Sequence, residues 1–110
     1  SFETQLKLRQ VRTYETEYMI GDGSERPYDF AWPEVGLLIE LQGGTWSSGA
    51  HVRGGGYQRD RDKTNSAVMR GWVVMEYTTE DVDSGRAVDG VVNWLVHWGE
   101  SRKPFSPREL

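Results

Sequence analysis

Large apolar and polar side chains alternate in two neighbouring stretches of the chain, which is the pattern of strands with one buried face. The first stretch is YDFAW, residues 28–32, and its aromatic side chains share one face: Tyr28, Phe30 and Trp32. The second stretch runs from Val35 to Gln42. Only a few residues separate the two, so they predict a hairpin that turns at PEVG, residues 33–36.

Helical spacing of apolar residues predicts three helices. A short helix is expected within residues 2–14, and a second over residues 58–71, where Gly71 suits a helix C-terminus. The third spans residues 84–98, with these positions on its inner side: Ala87, Val88, Val91, Val92, Leu95 and Val96. Further strands are expected at residues 16–20, before the turn sequence GDGS, and as a buried strand at residues 72–77. The TTED that follows resembles a helix-capping sequence.

The resulting order α-β-β-β-α-β-α predicts an α/β fold around a central sheet. At 110 residues the chain has the length of one domain, which is expected over residues 1–100. Residues 101–110, SRKPFSPREL, are expected to form a flexible tail. Four tryptophans are assigned to core packing: Trp32, Trp72, Trp94 and Trp98.

Charge and composition narrow the class of partner only slightly. The net charge of −4 argues weakly against a protein that coats DNA without regard to sequence, although residues 51–72 hold a local excess of basic side chains. The chain has no cysteine, which excludes thiolate metal sites and nucleophiles and is consistent with a reducing cytoplasm. No apolar run reaches the roughly 20 residues that span a bilayer, so no membrane partner is expected.

Glu40 stands inside the most apolar stretch of the chain, LLIELQGG. Strand alternation directs Leu37, Ile39 and Leu41 to one face and Glu40 to the other. If the hairpin places its apolar faces together, Asp29 and Glu40 converge on the second face. Two carboxylates that close repel each other unless a cation lies between them. Hard oxygen ligands suit Mg²⁺ or Mn²⁺, so a divalent metal site is predicted here, with ordinary exposed acidic residues as the alternative.

Several ordered motifs extend this pattern: YDF, IELQGG, HVRGGGYQRDRDKTN and GWVVMEYT. Together they cover about residues 26–79 and resemble the small DUF559/Vsr-like endonucleases of phages and bacteria, a branch of the PD-(D/E)XK superfamily. The resemblance implies a restriction-endonuclease-like αβββαβ core, a mixed central sheet flanked by helices, here with a C-terminal helix. It also implies an enzyme that acts on DNA in the cytoplasm of a bacterial cell or a phage-infected host.

The resemblance also implies the metal ligands and the catalytic groups. Asp29 and Glu40 match the two acidic residues of the family and would bind Mg²⁺, or Mn²⁺ in its place, together with the backbone carbonyl of Leu41. Gln42 stands where the superfamily more often has lysine, and a neutral amide cannot supply positive charge. Lys63 is expected to fill this gap from the following helix.

Two further carboxylates are expected to contact the metal ligands or the catalytic groups without binding the metal themselves. Asp60 lies three residues before Lys63 and shares its helix face, although a surface Asp60–Lys63 ion pair is an equal alternative. Glu3 lies on the first helix, where a favourable charge near the helix N-terminus is the alternative.

The glycine-rich segment at residues 43–57 is expected to be a long functional loop. Its His51 would act as a general base, as an acid for the leaving group or as a phosphate contact. Residues from this loop and the next helix are expected to contact the nucleic acid: Arg53, Arg59, Asn65 and Trp46.

The expected function is therefore a metal-dependent endonuclease that hydrolyses phosphodiester bonds of DNA, by nicking or by cutting branched structures such as Holliday junctions. The alternative is an inactive nuclease-fold module that binds nucleic acid or a protein, which Gln42 and the acidic net charge favour. A glycosidase using Asp29 and Glu40 ranks last, because it leaves the other motifs without a role. An enzyme for branched DNA would need two active sites, hence a homodimer. The C-terminal helix could supply the interface or could equally pack on the sheet.

Overall fold

A four-stranded mixed sheet lies at the centre of the molecule. The computed structural model describes residues 1–42 and 57–110, except for the side chain of Tyr57. The strands in this part of the chain are β1 (Glu15–Tyr18), β2 (Tyr28–Trp32), β3 (Leu37–Leu41) and β4 (Val73–Tyr77). They are ordered β1-β2-β3-β4. β2 is antiparallel to both β1 and β3, and β3 is parallel to β4.

Helices cover both faces of the sheet. They are α1 (Phe2–Leu8), α2 (Tyr57–Met69), α3 (Thr79–Asp83) and α4 (Arg86–Trp94), followed by a π-helical turn (Leu95–Gly99) and a 3-10 turn (Glu100–Arg102). The predicted α/β class, with a mixed sheet flanked by helices, is confirmed. The short helix α3 begins at the TTED sequence, where Thr78 and Asp81 form the capping box that the sequence predicts.

The hairpin between β2 and β3 turns at PEVG, as predicted. The amides of Val35 and Gly36 both donate to the carbonyl of Trp32, at 3.2 and 2.9 Å. Gly36 has a φ of +76°, a conformation that residues with a Cβ rarely adopt. The turn sets a register that pairs Trp32 with Leu37 and Phe30 with Ile39, so these four side chains fall on one face, whereas the paired Ala31 and Leu38 fall on the other.

The first sheet face packs against α1 and α4. Its buried core consists of Phe2, Leu6, Phe30, Trp32, Val35, Leu37, Ile39, Ala87, Val88 and Val91. The rings of Phe2 and Phe30 meet edge to face, with their centroids 5.0 Å apart. Trp32 belongs to this core, as the sequence predicts. Burial of these apolar stripes is what holds both helices against the sheet.

The second sheet face packs against α2. Its buried core consists of Tyr28, Ala31, Leu38, Ala67 and Trp72. The prediction that Tyr28 shares a face with Phe30 is therefore wrong. The registered pairing of β2 with β3 ends at Phe30, and Tyr28 is paired only with Tyr18 of β1. Tyr28 instead donates its hydroxyl hydrogen to the carbonyl of Lys63 on α2, at 3.1 Å.

A tight helix end connects α2 to β4. The amide of Trp72 donates to the carbonyl of Ala67 at 3.1 Å, and Gly71 between them has a φ of +97°. This is the glycine helix terminus that the sequence predicts. β4 is an edge strand of the described sheet, as β1 is, and it is only half-buried, which differs from the expected buried strand. No helix in residues 1–42 or 57–110 is long and apolar enough to cross a membrane.

The C-terminal helix departs from its prediction after Trp94. The sequence predicts one helix to residue 98, with Val96 and Trp98 packed, but these side chains are 71 % and 59 % exposed. Both assignments are wrong because the chain passes into a π-helical turn at Leu95, which has more residues per turn than an α-helix. Leu95 and the buried Gly99 face the core in this turn, and the side chains of Val96 and Trp98 are exposed to solvent.

The C-terminal segment lies against the body of the protein. The amide of Phe105 donates to the carbonyl of Glu34 at 2.8 Å, and its ring packs 4.8 Å from that of Trp72. Just before it, Arg102 donates to the carbonyls of Val35 and Gly71, at 2.6 and 2.9 Å. Composition predicts a flexible tail over residues 101–110, whereas these contacts attach much of that segment to the hairpin and to the end of α2.

Candidate active site

Acidic side chains from three neighbouring strands lie at one edge of the sheet. β3 and β4 are parallel and β2 runs against them, so the start of β2 lies beside the ends of β3 and β4. Asp29 is the second residue of β2, and Glu40 and Glu76 are each the fourth residue of β3 and β4. Ligands of α/β proteins commonly bind at the carboxyl ends of strands, so this edge is the candidate site.

Asp29 completes the hydrogen bonding of the hairpin with its side chain. Its Oδ2 accepts a hydrogen bond of 2.7 Å from the amide of Leu41. The registered pairs of β2 and β3 end at Phe30–Ile39, so this amide lies beyond the backbone ladder. Because a buried amide without a partner is costly, this bond holds the Asp29 carboxylate at the end of β3, next to Glu40.

Lys63 reaches the same edge from α2. Its side chain is only 8 % exposed and forms an ion pair with Glu40. The ammonium also donates to the carbonyl of Pro27, at 2.9 Å, and lies 4.2 Å from the centroid of the Tyr28 ring. Ala67 follows one helical turn later and is fully buried, so the packing of α2 directs this side of the helix inward. The structure thus brings Lys63 to the carboxylate that the sequence places in the site.

Burial raises the pKa of Glu40 to about 7. The Lys63 ammonium opposes this effect and lowers the pKa, whereas repulsion and hydrogen bonding from Asp29 raise it. Asp29 and Glu40 are therefore immediate neighbours, as strand alternation predicts. The buried Lys63 is the cation beside Glu40.

Glu76 is a third carboxylate at this edge, and motif reasoning did not assign it. It accepts hydrogen bonds from the side-chain amide of Gln42 and from the Thr64 hydroxyl, the latter at 3.5 Å, and Arg61 lies 4.0 Å away. The register pairs it directly with Glu40. Its signal in the sequence is weak: a single acidic residue in the apolar strand VVMEY, the same pattern that marks Glu40 in LLIEL.

Other predicted residues on α2 lie away from the carboxylates. Asp60 forms an ion pair with Arg26, which precedes β2, and not with Lys63. It therefore contacts the segment that leads into the site and does not contact Glu40 directly. Arg59 and Asn65 are exposed on the same helix, where a nucleic acid could reach them.

Glu3 lies on the α1 side of the sheet. It accepts a hydrogen bond of 2.9 Å from the hydroxyl of Tyr14, whose ring packs 5.7 Å from that of Phe30 on the first sheet face. The structure therefore does not bring Glu3 together with the acidic edge. Three predicted residues fall outside the described part of the chain: Trp46, His51 and Arg53.

The donor set at the acidic edge suits a hard divalent cation. Asp29 and Glu40 offer carboxylate oxygens from adjacent strands, and Mg²⁺ typically takes one or two protein carboxylates while it keeps several waters. Within the described ranges, no group of three or more histidine, cysteine, aspartate or glutamate side chains has the arrangement of a metal site. Two carboxylates have the chemistry to hold Mg²⁺ or Mn²⁺, and the carbonyl of Leu41 stays a predicted third ligand.

Comparisons of the chain with protein-family models, with curated proteins and with solved structures find no match. The class of protein is thus defined by the fold and the site alone. It is an α/β domain with a mixed four-stranded sheet that carries paired carboxylates and a buried lysine at one edge.

Proposed function

We propose that the protein is a metal-dependent endonuclease that hydrolyses phosphodiester bonds of DNA, with an active site of the PD-(D/E)XK type. The observation that carries this proposal is the convergence of Asp29, Glu40 and Lys63 at one edge of the sheet. The two carboxylates match the acidic motif residues of the DUF559/Vsr-like endonucleases that the chain resembles. The order and directions of the described elements are compatible with the αβββαβ core of that superfamily.

In this proposal Asp29 and Glu40 hold Mg²⁺, for which Mn²⁺ can substitute. Held by these two carboxylates, the ion would supply charge stabilisation at the scissile phosphate and would lower the pKa of a bound water. Lys63 provides the positive charge that Gln42 cannot provide. Because the Pro27 carbonyl and Glu40 already hold its ammonium, Lys63 is positioned before the substrate binds, as electrostatic stabilisation of a transition state requires.

Contacts to DNA are proposed from α2 and from the glycine-rich segment. Arg59 and Asn65 are exposed on α2 and would contact the DNA backbone. Arg53 would hold a phosphate, Trp46 would stack on a base, and His51 would protonate the leaving 3′ oxygen. The proposed reaction is nicking of duplex DNA or cleavage of branched DNA.

A glycosidase is disfavoured by the spacing of the carboxylates. Glycosidases keep their two carboxyl groups roughly 5–10 Å apart with the sugar between them. Here Asp29 is close enough to Glu40 to raise the pKa of Glu40. This arrangement favours a shared cation over an acid–base pair.

The test is cleavage of a supercoiled plasmid by the wild type and by the variants Asp29→Asn and Glu40→Gln, each with Mg²⁺, Mn²⁺ or EDTA. Asparagine at position 29 can still accept the Leu41 amide, and glutamine at position 40 can still accept a hydrogen bond from Lys63, so both variants should fold. We expect nicked circles from the wild type only when metal is present. Each variant should lose at least about 100-fold in rate, because it lacks one carboxylate that would hold the metal.

Glu80→Gln is the matched control, since Glu80 is an exposed carboxylate on α3, and its activity should equal that of the wild type. Full metal-dependent nicking by either site variant, or cleavage in EDTA, would contradict the proposal. A gel shift of labelled DNA without cleavage under any condition would support the inactive binding module instead. Cleavage of labelled flap, four-way and linear oligonucleotides would then show which DNA structure the enzyme prefers.

A further inference from the structure

Gln42 and Glu76 lie side by side on the α2 face of the sheet, at the edge that carries the candidate active site. Glu40 points to that face, where it pairs with Lys63, and strand alternation places Gln42 on the same face two residues later. The backbone amide of Gln42 donates to the carbonyl of Tyr77 at 2.8 Å. The pairing of β3 with β4 therefore extends to Gln42 and fixes its backbone beside the site.

Three side chains surround the Glu76 carboxylate. The side-chain amide of Gln42 donates to Oε1, and the Thr64 hydroxyl donates to Oε2 at 3.5 Å. The guanidinium of Arg61 lies 4.0 Å from Oε1. Because Thr64 and Arg61 belong to α2, Glu76 connects this helix with the end of β3 and has a fixed place between them.

The Glu76 carboxylate determines which way round the Gln42 amide lies. An ionised carboxylate only accepts hydrogen bonds, whereas an amide group has one end that donates and one end that accepts. The Nε2 end of Gln42 faces Glu76, since the reverse orientation would place two acceptor oxygens against each other. The Oε1 atom of Gln42 is therefore directed away from Glu76. An amide oxygen has two lone pairs with which it can accept hydrogen bonds from water.

An acceptor at this position complements Lys63. In the proposed function Lys63 supplies the positive charge, so the role that suits Gln42 is to hold a water by one of its protons. A water that is held in this way keeps a lone pair directed at the phosphorus atom, and correct orientation of a reactant contributes substantially to catalysis.

We propose that Glu76 is a positioning residue of the endonuclease: it holds the Gln42 amide so that Oε1 accepts a hydrogen bond from the attacking water. This inference rests on the proposed function. In the reaction the water oxygen bonds to phosphorus while the bond from phosphorus to the leaving 3′ oxygen breaks. The water releases a proton to solvent, and the leaving oxygen takes one up. Gln42 orients the water and takes no proton, because an amide is too weak a base.

Nicking rates of Glu76→Leu, Gln42→Leu and the double variant Glu76→Leu/Gln42→Leu test this role. We expect each single variant to lower kcat about 10-fold and to leave KM within about two-fold, because the orientation of the water matters in the transition state and not in DNA binding. The double variant should be no slower than Gln42→Leu, because Glu76 acts only through Gln42. Glu80→Leu is the matched control, since it removes an exposed carboxylate from α3, and it should keep the kcat of the wild type.

Side-chain amide resonances in the NMR spectrum of isotope-labelled protein test the contact without any cleavage. The resonance pair of Gln42 is the one that Gln42→Leu removes. A hydrogen bond to a carboxylate is short and strong, and it moves the bonded proton downfield. We expect the Gln42 pair to move upfield in Glu76→Leu and to stay in place in Glu80→Leu. Equal thermal melting midpoints would verify that the variants fold.

A Gln42 pair that Glu76→Leu leaves in place would overturn the inference, whether or not the protein cleaves DNA. If the wild type nicks DNA, an unchanged kcat in Glu76→Leu, or a double variant slower than Gln42→Leu, would overturn it as well. A wild type that cleaves no DNA, with the expected shift of the Gln42 pair present, would instead contradict the endonuclease proposal, and the role of Glu76 in the reaction would fall with it.

Discussion

Replacing Lys63 by methionine is expected to destabilise the fold, and to do so more at high pH. The Lys63 side chain is 8 % exposed and that of its partner Glu40 is 23 % exposed. Removing one member of a buried ion pair typically costs about 3–5 kcal/mol, because the other charge is left unpaired. Glu40 is partly exposed, so we expect the low end of that range, about 3 kcal/mol of unfolding free energy at pH 8. Methionine keeps the apolar stem of lysine, so little of this cost comes from a cavity.

The cost is smaller in acid because Glu40 can take up a proton. Its pKa in the folded protein is raised to about 7, mainly by burial, from an ordinary value of 4.5. The folded protein therefore binds this proton more tightly than the unfolded chain, and stability falls as pH rises between the two values. Without Lys63 the folded-state pKa rises further. In the variant the free energy of unfolding therefore continues to fall above pH 7, by at most about 1.4 kcal/mol per pH unit.

At pH 5 we expect Lys63→Met to cost only about 1.5 kcal/mol, from the lost hydrogen bond to Pro27 and the lost contact of the cation with the Tyr28 ring. Urea unfolding in EDTA, followed by tryptophan fluorescence between pH 5 and pH 8, measures the difference. An equal cost at both ends of this range would refute the reasoning that Glu40 is the charge left behind.

Two control variants isolate the charge effect. The double variant Lys63→Met/Glu40→Gln has no carboxylate at position 40 to leave unpaired, so its cost relative to Glu40→Gln should not grow with pH. Lys7→Met replaces an exposed lysine on α1 and should change the unfolding free energy little.

Two further predictions concern backbone geometry and capping. Gly36→Ala should cost more than Gly23→Ala although both glycines have a positive φ, because a Cβ at Gly36 would lie 2.6 Å from the Phe105 ring while one at Gly23 meets nothing within 4 Å. We expect about 1 kcal/mol at Gly23 and at least about twice that at Gly36 by urea unfolding, and equal costs would argue against Phe105 packing on the hairpin. Thr78→Ala removes the capping box with Asp81 and should lower the unfolding free energy by about 1 kcal/mol. An unchanged thermal midpoint for Thr78→Ala would show that α3 does not depend on this cap.

The chain by itself determined the features that depend on local geometry. The alternation in YDFAW and LLIEL, joined by PEVG, predicted the hairpin and placed Glu40 on the face opposite Leu37 and Ile39. Gly71 and the TTED sequence marked helix boundaries because caps are formed by residues close in sequence. Strand alternation also predicted that Asp29 and Glu40 converge. The register of a hairpin fixes which residues of its two strands share a face, so a pattern within each strand is enough to make this prediction.

Only the tertiary structure decided which groups meet across long stretches of chain. The pairing of Lys63 with Glu40, and not with Asp60, depends on how α2 lies over the sheet, which no local period encodes. Glu76 joins the site through the parallel register of β4, and this register is set by the packing of the whole layer. Trp98 is exposed because a π-helical turn interrupts the apolar stripe. In each case the outcome follows from burial and desolvation, which arise only once the layers are packed.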